Sequence, residues 1–191
     1  MAQPAEQRSV LVVVDMQNGF VRTQSHHVVP RVAALAGAWL DGGGDVVFTR
    51  YLNHPGSPFE RIIGWTRLQH PPETDIVDGL AQYVAKAVAV LDKPIYSTFT
   101  PEGRALFAAH GWNQVFVCGI ATESCVLKTA VDAFEADLTP WVVSDAVASH
   151  AGEEAHNAGL LVLGRFIGKA QIISASQALA RAGIEAAEMT T

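Results

Sequence analysis

The chain has 191 residues, 49% hydrophobic and 17% charged, enough for one sizeable core and too few for two ordinary domains. Thirteen basic against nineteen acidic side chains give a net charge of −6 with no basic cluster, which excludes an extended nucleic-acid surface. No apolar run approaches the roughly 20 residues that span a bilayer, and residues 1–7 hold no apolar signal core, so a cytoplasmic protein without a membrane partner is expected.

In chain order, residues 10–14 form an apolar run with four valines that ends in Asp15-Met16-Gln17, the pattern of a buried parallel strand with a carboxylate at its exit. A helical pattern over 30–40 leads to a strand at 45–49. The loop from His54 to Leu68 follows, too long and too apolar for an ordinary solvated connection. A helix is predicted at 76–85 and a strand at 88–91, just before Asp92-Lys93-Pro94. Thr100-Pro101-Glu102 then reads as N-cap, first-position proline and first-turn acid of a helix at 101–110, which Gly111 stops. Strands at 114–118, 139–144 and 170–173 alternate with helices at 124–135, 153–163 and 177–182. Such alternation means an α/β fold, a parallel sheet covered on both faces in a three-layer α-β-α arrangement. No repeat, low-complexity stretch or linker divides the chain, so one domain is expected over 1–191.

The segment from Gly119 to Val126 places a thiol where a strand hands over to a helix. Thr122 is a natural N-cap, which puts Cys125 in the first turn, where free N–H groups and the macrodipole favour a thiolate. The same N–H groups suit a developing oxyanion. These residues alone equally allow a buried structural cysteine. Cys118, in the strand, reads as core and is poorly placed to pair with Cys125. Asp15 and Lys93 follow apolar runs as Cys125 does, so the three gather at the C-terminal edge of the sheet, where open α/β folds bind ligands. Taken singly, Asp15 reads better as a helix cap and Lys93 as a solvated surface residue, although the flanking Leu91 and Ile95 favour burial.

With these residues in place the chain resembles the isochorismatase-like cysteine hydrolases, a superfamily that includes nicotinamidases, N-carbamoylsarcosine amidases and ureide amidohydrolases. The resemblance rests on Asp15-Met16-Gln17, on Lys93-Pro94-Ile95-Tyr96-Ser97-Thr98-Phe99, on Gly119-Ile120-Ala121-Thr122-Glu123-Ser124-Cys125-Val126, and on the downstream Val142-Val143-Ser144-Asp145-Ala146. It runs from about Ser9 to Ser174. It implies a six-stranded sheet of order 3-2-1-4-5-6, Cys125 as nucleophile, Asp15 as general base and Lys93 as the third member. It also implies an oxyanion hole from the Ala121 and Cys125 N–H groups and a cis peptide between Ile120 and Ala121, where an ordinary trans turn is the competing reading. Glu123 stands at the family's acidic position, either as a structural partner behind the site or as a solvated first-turn carboxylate.

Nicotinamidases carry an aspartate and histidines after the second strand that hold a divalent ion; here Tyr51 and Asn53 occupy the aspartate and first histidine positions. His54 and His70 without an aligned carboxylate make a poor site, so neither metal nor other cofactor is expected. Tyr51, Phe59, Trp65 and Phe99 are candidate pocket walls, with Arg67 or Arg61 to recognise a carboxylate. The loop aromatics also fit a satellite core or a subunit contact, since members of the family commonly assemble as dimers or tetramers. The expected activity is metal-independent hydrolysis of a non-peptide C–N bond in a small amide, ureide or carbamoyl compound. A vinyl-ether hydrolase that does not use the cysteine, a silent binding module of the same fold and a redox protein are the alternatives.

Overall fold

The computed structural model describes residues 6–184. Its strands are β1 (Ser9–Val14), β2 (Asp45–Tyr51), β3 (Ala89–Lys93), β4 (Gln114–Ile120), β5 (Thr139–Ala148) and β6 (Ile172–Ile173). They form one sheet of order β3-β2-β1-β4-β5-β6, every pairing parallel. The helices are α1 (Val29–Asp41), α2 (Pro58–Ile63), α3 (Ala81–Val84), α4 (Pro101–His110), α5 (Leu127–Glu135), α6 (Glu153–Leu163) and α7 (Ala175–Ala182).

The valines of β1 explain the layering, because side chains alternate between the two faces of a strand. Leu11 and Val13 pack with Val32, Leu35 and Trp39 of α1 and Leu179 of α7. Val10, Val12 and Val14 pack on the other face with Phe107 of α4, Ala130 of α5 and Leu163 of α6. Each such buried side chain contributes roughly 1.5–3 kcal/mol of transfer free energy. The chain leaves β1 toward β2 and leaves β4 toward β5, so the sheet's switch point lies between β1 and β4. Ligand crevices of open α/β sheets form there.

Several boundaries differ from the sequence reading, each for a tertiary reason. No single helix covers 76–85: Ile76 bridges Gln17 and the Val77 N–H donates to the Met16 carbonyl, which leaves a short 3-10 turn at Asp78–Leu80 before α3. Lys93 lies within β3, paired in register with Tyr51. β5 runs four residues beyond its predicted end and β6 shrinks to two. The cap signals around α4 hold: the Thr100 hydroxyl accepts from the Gly103 N–H, and Gly111 is left-handed at φ 65°.

Candidate active site

Asp15 is the first residue past β1, with φ 47°, a left-handed backbone sparsely populated outside glycine. Thr49 of β2 helps to hold it there. Its hydroxyl accepts from the Asp15 N–H at 3.1 Å and donates to Oδ1 at 2.6 Å. Lys93 reaches across β2, and its Nζ donates to Asp15 Oδ2 at 2.6 Å with both side chains almost fully excluded from solvent. The same ammonium donates to the carbonyls of Ile95 (3.1 Å) and Tyr96 (2.9 Å). An ammonium has three donors, so all are engaged. Burial opposes the charge on Lys93, but Asp15 and the Cys125 thiol beside it hold its pKa above the ordinary value.

Cys125 sits one strand over, after β4. The Ile120–Ala121 peptide is cis, and residues Thr122–Val126 form a π turn that runs into α5. Thr122 is therefore not a capping residue: its hydroxyl bonds His156 Nδ1 of α6 at 2.8 Å. The N–H groups of Ser124 and Val126 close the turn on the Ala121 carbonyl (3.0 and 3.1 Å). In a π turn the first backbone bond reaches back five residues, so the Cys125 N–H falls ahead of it. Glu123 accepts from the Ser149 hydroxyl at 2.8 Å, tying the turn to the segment after β5. Glycine at 159 lets α6 approach the turn, since a Cβ there would lie 2.8 Å from the Glu123 nitrogen.

Asp15 and Lys93 are the charged groups that act on the thiol. Its charge state differs from the sequence expectation of a favoured thiolate. Burial pushes the Cys125 thiol well above its ordinary pKa, and the opposed influences of Lys93 (lowering) and Asp15 (raising) leave it there. The direction of this shift favours the neutral thiol beside the Asp15–Lys93 ion pair.

The thiol opens onto a cavity of about 190 Å³, whose wall includes Tyr51, Phe59 and Trp65, three of the five predicted pocket residues. The other two are elsewhere. Arg67 is exposed and its Nε donates to Glu73 at 2.9 Å, because a carboxylate six residues away on the same loop satisfies the guanidinium first. Phe99 packs on Phe107 in the core beneath α4, with Arg104 over its ring. Arg61 donates to the Gly56 carbonyl at 3.0 Å. Phe20, Ile63, Tyr96, Ser124 and His150 complete the wall and were missed in the sequence, although Phe20 and His150 stand a few residues past β1 and β5, at the sheet edge that holds Asp15.

Asn53 organises the loop above the cavity. Its amide donates to the carbonyls of Trp65 and Arg67, both at 3.0 Å, and its oxygen accepts from Ser57 (2.6 Å), the His54 N–H (3.0 Å) and the Tyr51 hydroxyl (3.2 Å). Tyr51 and Asn53 thus bind each other and the loop, and His54 and His70 are exposed. This donor set does not fit a divalent ion, and among the described residues no group of three or more His, Cys, Asp or Glu is gathered as a metal site.

The isochorismatase domain family matches residues 9–174. Over 159 residues the chain is 30% identical to the phenazine biosynthesis protein PhzD of Pseudomonas fluorescens, covering 77% of this chain and 74% of that one. It is 29% identical over 200 residues to the ureidoacrylate amidohydrolase RutB of Enterobacter sp. strain 638, covering 86% and 85%. N-carbamoylsarcosine amidase from Thermoplasma acidophilum superimposes with a TM-score of 0.72 at 26% identity, covering 83% of this chain and 94% of that one.

Proposed function

Since the chain belongs to the isochorismatase family and is a hydrolase of that family, we propose that it cleaves a non-peptide C–N bond in a small amide, ureide or carbamoyl compound through a thioester on Cys125. The observation that carries this reading is the Cys125 thiol at the cavity wall beside the buried Asp15–Lys93 pair. A neutral thiol needs a base in contact with it, and Asp15 is that base. As the Cys125 sulfur bonds the substrate carbonyl carbon, its proton passes to Asp15 and then to the nitrogen that leaves as the C–N bond breaks. A water attacks the thioester, its proton passes through Asp15 to the sulfur, and the C–S bond breaks to release the acid. Lys93 keeps the carboxylate in place by charge, and the N–H groups of Ala121 and Cys125 receive the developing oxyanion.

The names of two relatives, a ureidoacrylate amidohydrolase and an N-carbamoylsarcosine amidase, support a small C–N linkage as the bond cleaved. Ammonia release from a panel of small amides and ureides, with mass spectrometry of a quenched acyl-enzyme, tests the proposal; turnover without any adduct on Cys125 would overturn it. A vinyl-ether hydrolase would need Asp15 and leave Cys125 idle, so an active Cys125→Ala variant would favour that chemistry. A Cys125 inert to small electrophiles would favour a binding module.

A cytoplasmic setting belongs to the same reading, because both cysteines are free and the nucleophile must stay reduced. So does assembly as a homodimer or homotetramer of one-domain subunits: Ile62 is 77% and Ile63 62% exposed, beside Ile95 and Tyr96 at the cavity's rim, an apolar surface of the kind subunit contacts cover.

A further inference from the structure

We propose that the cavity selects uncharged acyl groups and rejects substrates that carry a carboxylate. This deepens the reading of Cys125 as nucleophile and rests on it for the position of the scissile bond. Six rings dominate the wall: Phe20, Tyr51, Phe59, Trp65, Tyr96 and His150. Phe20 stacks with both Trp65 and His150, with ring centroids at 5.7 and 5.4 Å and interplanar angles of 10° and 22°. The stacked rings make the wall largely aromatic and apolar.

Among the described residues no cationic side chain lines the cavity, and the backbone N–H groups of Ala121 and Cys125 are taken by the scissile carbonyl oxygen. Lys93 is, among the described residues, the one buried cation near the cavity, and its three donors go to Asp15 and to two backbone carbonyls. Arg50 is held by both oxygens of Asp92, and Arg67 by Glu73. Arg22 is exposed and acts on His150 from outside the lining. The polar side chains that do line the cavity are hydroxyls, the Trp65 indole, the Cys125 thiol and one imidazole, and burial holds His150 below its ordinary pKa against the opposing influence of Glu123, so the ring is neutral near neutral pH. A carboxylate moved from water into this wall would lose its hydration and gain no cation. The small volume, below the roughly 300–1,000 Å³ of pockets for drug-sized ligands, leaves little room for a hydration shell to enter with it.

The test is equilibrium binding to full-length Cys125→Ala protein near neutral pH, with benzamide and 4-carbamoylbenzoate as probes that differ only in the carboxylate. Benzamide should bind at least about tenfold more tightly. Equal or tighter binding of the carboxylate, or no saturable binding of benzamide, overturns the proposal. Wild-type turnover separates the two readings. Cys125-dependent hydrolysis of 4-carbamoylbenzoate at a kcat/KM equal to that of benzamide sinks the selection and leaves the mechanism. Selective benzamide binding with no hydrolysis of any amide sinks the mechanism and leaves the selection.

Discussion

Cys125 is only 5% exposed, yet the cavity reaches it, whereas Cys118 is sealed in β4. Both thiols are pushed up by burial, so access and the neighbouring carboxylate separate them. Iodoacetamide should therefore label Cys125 before Cys118, as read by peptide mapping. The sign of the shift sets the pH profile: with the thiol pKa raised, the thiolate fraction at any pH is below that of a free cysteine. Labelling of Cys125 should keep climbing with pH beyond the ordinary thiol value of about 8.5, and a plateau at or below it would show that Lys93 outweighs burial. Asp15→Asn removes the base but keeps the shape, and should lower kcat by about 10²–10⁴-fold with little change in substrate binding. Lys93→Ala leaves a buried carboxylate without its cation, so a loss of roughly 3–5 kcal/mol in denaturant stability is expected beside the loss of activity.

Two elements aim the site, and each has a single point of failure. α6 touches the π turn of Cys125 at Gly159, where an added Cβ would meet backbone atoms at 2.8–3.0 Å. Gly159→Ala must move either the helix or the turn, so it should cost about 1–3 kcal/mol by overpacking and lower kcat more than it raises KM. Chemical denaturation and steady-state kinetics together check this. The loop that carries Phe59 and Trp65 hangs on the Asn53 amide. Asn53→Ala removes its hydrogen bonds at once, and a loss of about 1–3 kcal/mol is expected where buried donors are left unpaired. Because the Tyr51 and Asn53 side chains bind each other and the loop, chelation should leave turnover unchanged, as assayed before and after chelator treatment of tag-free protein. On the same loop Trp65→Ala should shift substrate preference, while Arg67→Ala, paired to Glu73 outside the cavity, should not.

At the scale of the whole molecule the exposed isoleucines beside the cavity call for a partner surface, so light scattering should give a mass at least twice the 20.4 kDa chain; a monomer at assay concentration would show that the rim stays open to water. The sequence by itself determined the layered sheet, because valine runs, caps and alternating periods are local and each is complete within one element. It also marked Asp15, Lys93 and Cys125 as neighbours, since the chain leaves a parallel sheet at one edge. Tertiary structure alone decided that Lys93 crosses β2 to reach Asp15, that the thiol rests protonated, and that Thr122 binds His156 instead of capping its own turn. It also decided that the pocket draws on residues following β1, β2, β3, β4 and β5, and that Arg67 and Phe99 take no part in it. Those outcomes depend on distances between segments far apart in the chain and on the burial that sets the strength of each charge, and neither quantity is present in any short stretch of residues.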